Sequence, residues 1–456
     1  MIKLFQTPSR QSYAYDSLSN RIITIGSLGQ SFEEEAAAQY LSQNGVVDNA
    51  DFEDISFPDT FEAYQEKLNH NLRRLLLEVS QQCNLRCSYC IFSGSYAHRR
   101  THGDIYMSRE VMDKAIDFYL EHSDRQAEAS VAFYGGEALL CFDDIVYGVQ
   151  RMQAGCGGRE ASFSISSNGV LLKDKVVRWL AENPSVKVTV TLNGPYHDRY
   201  RRFPNGSGSL KCILANLQKI KRDYPSVWGK QITFISNIFS LQEVDGIVEF
   251  CRELGKYPVL FSGLTRRNGN EHIAALLEQN KPEEDICASE LYKKYVRTGD
   301  EGLDIFFRFN IGDIFIRRIA PSSRNAYVPG CEPFTSKLFA AADGSFKPCE
   351  KMFNHMPLGN VYDGFNWDNL RIIWDKLTCM YRENCRSCWA LRLCEVCAKD
   401  LLDENGVAVR PPQDICSQVR RAALNNLRMY CDIAERHKEL WQRYTTYYKE
   451  HAEYFK

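Results

Sequence analysis

Six short apolar segments, each followed by a stretch with helical periodicity, make up the central part of this sequence from residue 73 onward. Strands that alternate with helices pair in parallel through right-handed crossovers. The pattern therefore predicts an α/β fold in which residues 73–300 form an open, partial (β/α)6 barrel. The predicted strands have the sequences RLLLEVS, SVAFYGG, ASFSISSNG, VKVTVTLNG, QITFISNIF and YPVLFSGL. A helical stretch at 108–123 presents one apolar face, formed by Val111, Met112, Ala115, Ile116, Tyr119 and Leu120.

The segments on either side of this repeat predict further domains, since one domain takes about 100 to 200 residues and the chain has 456. Residues 1–72 contain a hairpin pattern, SYAYDSLSNRIITI, and a helical pattern, EEEAAAQYLSQNG. Such a unit either covers the main domain or docks an extended peptide along a strand edge. We further expect a bridging region at 301–330, a cysteine-rich domain at 331–420 and a C-terminal helix at 421–456.

The composition favours a cytoplasmic enzyme over a secreted, membrane-bound or nucleic-acid-binding protein. Hydrophobic residues make up 44% of the chain, and the formal charge of −2 gives no attraction for nucleic acid. The N-terminus has no signal-peptide pattern, and no apolar run reaches the roughly 20 residues that cross a bilayer. Because cytosolic thiols stay reduced, the 17 cysteines indicate metal or cluster ligation rather than disulfides.

The segment CNLRCSYC, residues 83–90, places three cysteines at CX3CX2C spacing in the loop after the first predicted strand. Structural zinc takes four protein ligands, and a redox CxxC pair would leave Cys83 without a role. A 4Fe-4S cluster fits better, because Cys83, Cys87 and Cys90 would hold three irons and leave the fourth open to a ligand. In a barrel of this kind, the loops after the strands carry the chemistry.

This cysteine spacing, with Tyr89 before the third cysteine, resembles the radical S-adenosylmethionine superfamily, and the resemblance extends over residues 73–265. AFYGGEALL is similar to the family's GGE motif, SISSNG to its third-strand motif, and TLNGPYHDRYRR to its SxDGP...HDxxR segment. Asn193 stands where the family has aspartate. The residues that the resemblance implies for cofactor binding are Tyr89, Gly135, Gly136, Glu137, Ser164, Ser166, Asn168, Leu192 and Asn237.

The resemblance implies an oxidoreductase that uses S-adenosylmethionine as a source of radicals. An electron from a donor such as flavodoxin or ferredoxin enters the cluster and breaks a carbon–sulfur bond of the cofactor. The products are methionine and a 5'-deoxyadenosyl radical, which abstracts hydrogen from an unreactive carbon. Which side chains are catalytic is not identified by the sequence.

A second cysteine pattern resembles the SPASM domain of radical enzymes that modify peptides. Twelve residues separate Cys331 from Gly344, and four more separate that glycine from Cys349. The resemblance implies two auxiliary 4Fe-4S clusters, three clusters in all. One would be held by Cys385, Cys388, Cys394 and Cys416, and the other by Cys331, Cys349 and Cys397.

The second of these sets has only three ligands, so it predicts an open iron that a substrate thiolate would occupy. Cys287, water or a non-cysteine side chain is the alternative fourth ligand. Paired zinc sites are the alternative for the whole segment, because CxxC...CxxC also describes zinc ribbons. The gap before Cys397 is one residue shorter than the SPASM pattern has.

The three-part layout resembles maturases of ribosomally synthesised peptides, in which a winged-helix-like N-terminal module binds the leader of the precursor. The stretch CNLRCSYCIFSGSY...HRRTHGD is most similar to maturases of cysteine-rich peptides, of the ranthipeptide or sactipeptide type. The predicted reaction is thioether formation between a cysteine sulfur and a carbon of the precursor. The alternatives are carbon–carbon cross-linking, epimerisation, formylglycine-forming sulfatase maturation, or a non-enzymatic metal scaffold.

Overall fold

The computed structural model describes residues 1–25, 34–47, 50–97, 99–263, 269–278, 285–317, 324–330, 332–352, 357–403 and 406–451. In these ranges the strands are β1 (Ile2–Gln6), β2 (Ser12–Asp16), β3 (Arg21–Thr24), β4 (Asp54–Ser56), β5 (Leu75–Ser80), β6 (Ala129–Gly135), β7 (Ala161–Ser167), β8 (Val186–Thr191), β9 (Ile232–Ile238), β10 (Leu260–Gly263), β11 (Asn325–Tyr327), β12 (Leu338–Ala340), β13 (Phe346–Lys347), β14 (Gly359–Asn360), β15 (Gly364–Phe365), β16 (Leu402–Asp403) and β17 (Gly406–Val407).

The α-helices in the same ranges are α1 (Glu34–Gln43), α2 (Phe61–His70), α3 (Arg109–His122), α4 (Phe142–Gly155), α5 (Asp174–Glu182), α6 (His197–Tyr200), α7 (Leu210–Asp223), α8 (Pro225–Lys230), α9 (Gln242–Leu254), α10 (Glu271–Glu278), α11 (Glu290–Thr298), α12 (Glu301–Arg317), α13 (Trp367–Asn384), α14 (Ala398–Leu401), α15 (Gln413–Arg436) and α16 (Lys438–Glu450). At the C-terminus, where one helix was predicted from 421 onward, α15 and α16 are separated at His437.

The chain divides into two compact units. The sheet unit comprises Asp59–Lys281 and Cys331–Ile372, and the terminal unit comprises Met1–Pro58, Pro282–Gly330 and Ile373–Lys456. The predicted domain boundaries at 72, 300, 330 and 420 remain predictions.

The sheet unit is built on an eight-stranded sheet with the order β10-β9-β8-β7-β6-β5-β12-β13. Strands β5 to β10 are the six predicted strands, and neighbouring members pair in parallel. All six residues of β5 are buried, as expected for a parallel strand near the middle of a sheet. The prediction of an α/β fold with a partial barrel is confirmed.

Strands β12 and β13 extend this sheet beyond β5 and were not predicted. Strand β12 pairs in parallel with β5, and β13 pairs antiparallel with β12. The carboxylate of Glu78 ties the two segments together: it accepts a hydrogen bond from the Ala342 amide at 3.1 Å and pairs with Arg100. The segment that follows Cys331 in the sequence is therefore part of the main sheet.

The terminal unit contains a small antiparallel sheet and a set of helices. The sheet has the order β1-β2-β3, and β2 and β3 form the predicted hairpin. Asp432, fully buried on α15, accepts a hydrogen bond from the Tyr292 hydroxyl at 2.8 Å. Tyr295 donates to Asp304 at 2.8 Å, so buried tyrosines and carboxylates of different helices are paired. Across the described ranges, no helix is both long and apolar enough to span a membrane.

Candidate functional site

A cavity of about 370 Å³ lies at the C-terminal ends of strands β5 to β10 in the sheet unit. Its wall brings together predicted residues that are as much as 154 positions apart in the sequence, from Cys83 to Asn237. Parallel strands end at the same edge of a sheet, so the loops that follow them meet there. The predicted residues in the wall are Cys83, Cys87, Tyr89, Cys90, Gly135, Gly136, Glu137, Ser166, Asn168 and Asn237.

The loop that carries the three cysteines directs backbone N–H groups at two of their sulfurs. The amide of Leu85 lies 3.4 Å from Cys83 Sγ, and the amide of Phe92 lies 3.4 Å from Cys90 Sγ. Burial raises the pKa of Cys83 to about 11 and that of Cys90 to about 12. The free thiols are therefore protonated at neutral pH, and iron binding would release their protons.

The two glycines of the GGE segment hold the end of β6 against the chain that leads to Cys83. The Gly136 amide donates to the Ser80 carbonyl at 2.8 Å. A Cβ at Gly135 would lie 2.2 Å from Ser80 O, and one at Gly136 would lie 2.3 Å from Gln82 O. Both contacts are far too short for any side chain, so glycine is required by the backbone of this loop as well as by any ligand.

Glu137 is buried and accepts three hydrogen bonds at the edge of the cavity. The donors are the amide of Leu139 at 3.1 Å, the hydroxyl of Ser167 at 2.8 Å and the amide of Asn168 at 2.7 Å. Burial raises the pKa of Glu137, while these hydrogen bonds lower it. The carboxylate is held in one orientation and suits an ammonium group. Sequence reasoning selected Ser166 and missed Ser167.

Arg201 is a second functional residue that the sequence reasoning missed, although it lies in the quoted HDRYRR segment. Its side chain is 7% exposed, lines the cavity, and donates to the Tyr89 hydroxyl at 2.7 Å. Burial lowers the pKa of Arg201, but Cys87, Tyr89 and Cys83 raise it overall, so the group stays cationic. Among the described residues its Nε has no hydrogen-bond partner. A buried cation of this kind suits the carboxylate of a ligand.

His197 and Asp198 hold the turn that places Arg201 at the cavity. Asp198 Oδ1 accepts the amides of Ser209 and Leu210, both at 2.8 Å, at the start of α7. His197 Nδ1 accepts the Asn193 amide, so Nε2 carries the proton and faces Ser209 Oγ at 3.1 Å. That hydroxyl donates in turn to the Arg201 carbonyl at 2.9 Å.

Asn193 has a structural contact of its own. Its Oδ1 accepts the amide of Asn237 at 3.0 Å, and the Asn237 side chain donates to Tyr89 at 2.9 Å. The position where the family has aspartate thus joins the ends of β8 and β9, and this contact needs only an acceptor oxygen.

Two predicted cofactor contacts lie outside the cavity wall. Ser164 is in the middle of β7, opposite Ala132 of β6. Leu192 is fully buried, and its amide donates to the Ile235 carbonyl at 2.9 Å. The sequence did not foresee several other residues that line the cavity, among them Thr189, Thr191, Ser262, Glu350 and Lys351.

Four of the C-terminal cysteines lie together in the terminal unit. Cys385 follows α13, and its carbonyl accepts the Cys388 amide at 3.0 Å. Cys416 lies in the first turn of α15. Burial and then the charges of Cys388, Cys394 and Cys416 raise the pKa of Cys385 to about 12, which reflects their proximity. Among the described residues, no three His, Cys, Asp or Glu side chains lie close enough to bind a single metal ion. A 4Fe-4S cluster needs its cysteines farther apart, because each thiolate binds a different iron.

The described residues do not test the set formed by Cys331, Cys349 and Cys397. Cys331 lies outside them, Cys349 belongs to the sheet unit and Cys397 to the terminal unit. Its role as a cluster-binding set remains a prediction.

Comparison with known proteins decides the family of the sheet unit. Residues 77–265 match the model of the Radical SAM superfamily. This segment is a Radical SAM domain. The chain therefore carries a Radical SAM domain and is an enzyme, as predicted, and the matched segment ends where β10 reaches the cavity.

The relatives of this radical SAM enzyme are distant. An uncharacterized protein of Methanocaldococcus jannaschii is 26% identical over 260 residues, 54% of this chain and 84% of that protein. A GTP 3',8-cyclase of Clostridium botulinum is 22% identical over 307 residues, 65% of this chain and 87% of the cyclase. The solved structure of native anSMEcpe with bound AdoMet and Cp18Cys peptide has a TM-score of 0.56 and 16% identity, covering 82% of this chain and 99% of that one. This last similarity shows a shared fold.

A Radical SAM domain implies one 4Fe-4S cluster and S-adenosylmethionine, and the cavity fits both. Cys83, Cys87 and Cys90 supply three thiolates and leave a fourth iron for the cofactor. Glu137 offers a fixed carboxylate for its ammonium group, and Arg201 offers an unpaired N–H for its carboxylate. The ammonium and carboxylate on the α-carbon of the methionine moiety would thus meet groups of opposite charge.

Proposed function

We propose that this radical SAM enzyme is a peptide maturase that installs thioether links between cysteine sulfur and carbon in a ribosomally synthesised precursor. The observation that carries the proposal is the group of four neighbouring cysteines, the buried Cys385 and the half-buried Cys388, Cys394 and Cys416, beyond the Radical SAM domain. The fold shared with anSMEcpe, which was solved with a bound peptide, supports a peptide as substrate.

The bound cluster and S-adenosylmethionine supply a 5'-deoxyadenosyl radical. The chain's own residues would orient the cofactor: Glu137 would bind the ammonium group of the methionine moiety and Arg201 its carboxylate. The Tyr89 hydroxyl receives hydrogen bonds from Arg201 and Asn237, so it fixes the guanidinium against the cysteine loop. These contacts are made without mobile surface side chains, which lowers the entropic cost of an ordered cofactor.

The proposed cross-link is balanced in atoms and electrons. A carbon of the substrate would give one hydrogen atom to the radical that the bound cofactor would supply after receiving one electron from flavodoxin or ferredoxin. The substrate thiol would lose its proton, and its sulfur would bond to the carbon radical as one electron passes to an auxiliary iron–sulfur cluster. The peptide therefore loses two hydrogens per link.

The C-terminal cysteines would hold two auxiliary clusters, one on Cys385, Cys388, Cys394 and Cys416 and one on Cys331, Cys349 and Cys397. The second set, with three ligands, would leave an iron to which a substrate thiolate binds. We further propose that residues 1–72 bind the leader of a cysteine-rich precursor. Holding both reaction partners in place replaces a bimolecular encounter, an advantage of about 7 to 11 kcal/mol at best.

The test is coexpression of the enzyme with a short cysteine-rich peptide encoded in an adjacent reading frame. Mass spectrometry should show a loss of two hydrogens per link, together with cysteines that iodoacetamide no longer alkylates. The matched control is the enzyme with Cys83, Cys87 and Cys90 replaced by alanine. A peptide whose cysteines all remain alkylatable, while 5'-deoxyadenosine accumulates, would refute thioether formation.

A sulfatase-type maturase is a second candidate, favoured by the position of Glu350. That family uses an aspartate just after the second cysteine of the auxiliary pattern. Here Glu350 follows Cys349, lines the cavity and pairs with Lys337 at 2.6 Å. Formylglycine is an aldehyde, so modified peptide that reacts with a hydrazide probe would identify this activity.

A nucleotide cyclase is a third candidate, favoured by the similarity to GTP 3',8-cyclase over 65% of this chain. The reconstituted enzyme should be incubated with GTP and S-adenosylmethionine in parallel with the peptide. Consumption of GTP that depends on Cys83 would support the cyclase and exclude a peptide-specific role.

A further inference from the structure

Tyr381 on α13 is a buried tyrosine whose hydroxyl has no acceptor among the described residues. The side chain is 1% exposed, and no described residue forms a hydrogen bond with its oxygen. Burying a hydroxyl without a partner is destabilising, and such groups are rare in folded proteins. Other buried tyrosines of the same unit do have acceptors, as Tyr292 has in Asp432 and Tyr295 in Asp304.

The surroundings of Tyr381 are the predicted cluster ligands. The residue precedes Cys385 by one helical turn, and its carbonyl accepts the Cys385 amide at 2.9 Å. Burial is the largest cause that raises the pKa of its hydroxyl. The charges of four cysteines raise this pKa further, in decreasing order of effect: Cys394, Cys385, Cys416 and Cys397. The hydroxyl is therefore close to cysteine sulfurs, and the described part of the chain offers it no oxygen acceptor.

We infer that the Tyr381 hydroxyl donates a hydrogen bond to a sulfur of the iron–sulfur cluster held by Cys385, Cys388, Cys394 and Cys416, and that this bond raises the reduction potential of that cluster. This inference rests on the auxiliary cluster of the proposed function. A hydrogen bond withdraws electron density from sulfur and stabilises the reduced cluster, which carries the additional negative charge.

The test is a redox titration, followed by electron paramagnetic resonance, of the full chain with Cys83, Cys87 and Cys90 replaced by alanine. In this background only auxiliary clusters contribute to the signal. Tyr381→Phe should lower the potential of one cluster, so that the ratio of reduced to oxidised cluster at a fixed potential falls about tenfold. For a one-electron couple this is a shift of about 59 mV.

The matched control is Tyr448→Phe, in the same unit. Tyr448 is also buried, but its hydroxyl donates to the Arg308 carbonyl at 2.7 Å. The control should leave every cluster potential unchanged and should lower the thermal midpoint of the iron-free chain. Tyr381→Phe should not lower that midpoint, because its hydroxyl has no acceptor among the residues described for the iron-free chain.

Three outcomes would overturn the inference, and they separate it from the proposed function. Auxiliary iron in both proteins with identical potentials would refute the hydrogen bond and leave the proposed function intact. A Tyr381→Phe chain that fails to fold would show that the hydroxyl has a structural partner. A parent protein without auxiliary iron would refute both this inference and the auxiliary cluster.

Discussion

A single methyl group added at Gly136 would displace the loop that precedes Cys83. We expect Gly136→Ala to lower the free energy of unfolding by about 1–3 kcal/mol, because the added Cβ would lie 2.3 Å from the Gln82 carbonyl oxygen. Moving that carbonyl displaces the segment into the first cluster ligand, so less iron should bind. Urea unfolding and iron content after anaerobic reconstitution measure the two effects.

The control for this substitution is Gly229→Ala. Gly229 lies in α8 with nothing within 4 Å of an added Cβ. Alanine should be neutral there or stabilising by up to about 1 kcal/mol, because it favours helix more than glycine does. Equal losses of stability in the two variants would contradict the packing role assigned to Gly136.

Glu137 is the residue that we expect to govern affinity for S-adenosylmethionine. Glu137→Gln removes the negative charge and turns an amide N–H₂ toward the donors that now meet the carboxylate. Losing a charged hydrogen bond of about 1.5–3 kcal/mol should weaken binding roughly 10- to 100-fold. Equilibrium dialysis of the iron-loaded protein measures the change.

Glu182→Gln is the matched control, since Glu182 is exposed at the end of α5. It should bind the cofactor as the unaltered chain does. If Glu137→Gln also kept full affinity with normal iron content, the carboxylate would have no part in binding the cofactor.

At the scale of elements, the turn between β8 and α7 should make the stability of the chain sensitive to acid. Burial and then the charge of Arg201 lower the pKa of His197 from 6.5 to about 2. Below pH 6.5 the unfolded chain binds a proton at His197 that the folded chain does not bind. The free energy of unfolding therefore falls as the pH drops through that range. One such histidine removes about 1.4 kcal/mol at pH 5.5.

His197→Gln keeps an N–H for Ser209 but does not titrate. We expect its stability, measured by urea unfolding of the iron-free chain, to fall less between pH 7.5 and 5.5 than that of the unaltered protein. His70→Gln, at a mostly exposed histidine, is the control and should retain the original pH dependence. Parallel pH profiles for all three proteins would contradict the assignment.

The sheet shows how far elements could be predicted from sequence. Strands β5 to β10 are apolar, separated by helices and long enough for their pattern to be recognised. Strands β12 and β13 have three and two residues and lie beyond residue 330. No local period distinguishes so short a strand from a loop, so only its pairing with β5 defines it.

For the whole molecule, three 4Fe-4S clusters require about 12 irons per chain. Replacing Cys385 and Cys388 with alanine should reduce the count to about 8 and leave cleavage of S-adenosylmethionine measurable. Replacing Cys83, Cys87 and Cys90 should also remove about 4 irons but abolish 5'-deoxyadenosine. Iron analysis and chromatography of the adenosyl product distinguish the two classes of variant.

Cys379→Ala is the control for these replacements. Cys379 lies on α13, one and a half turns before Cys385, but it is exposed and donates to Glu383. Its loss should change neither the iron content nor the adenosyl product. A chain that binds stoichiometric zinc and negligible iron would contradict the assignment of every cluster.

The sequence predicted those parts of the candidate site whose residues form a short motif with a fixed spacing. Three cysteines within eight residues, the Gly-Gly-Glu segment and the SISSNG segment at the end of β7 each have a recognisable pattern, and all have members in the cavity wall. Ser164 and Leu192 carry the same kind of pattern but lie outside that wall. A motif on a strand indicates roughly where the site lies. Which of its side chains line the cavity depends on where the strand ends.

The sequence by itself determined the repeated strand order and the three-cysteine loop, because both depend on residues that are close along the chain. Tertiary structure alone decided that Ser167 and Arg201 meet Glu137 and Tyr89 at one cavity, and that Tyr381 lies buried among the distant cysteines. These contacts join segments separated by tens of residues. Such contacts depend on how the strands are ordered and how the helices pack, and no local period encodes either.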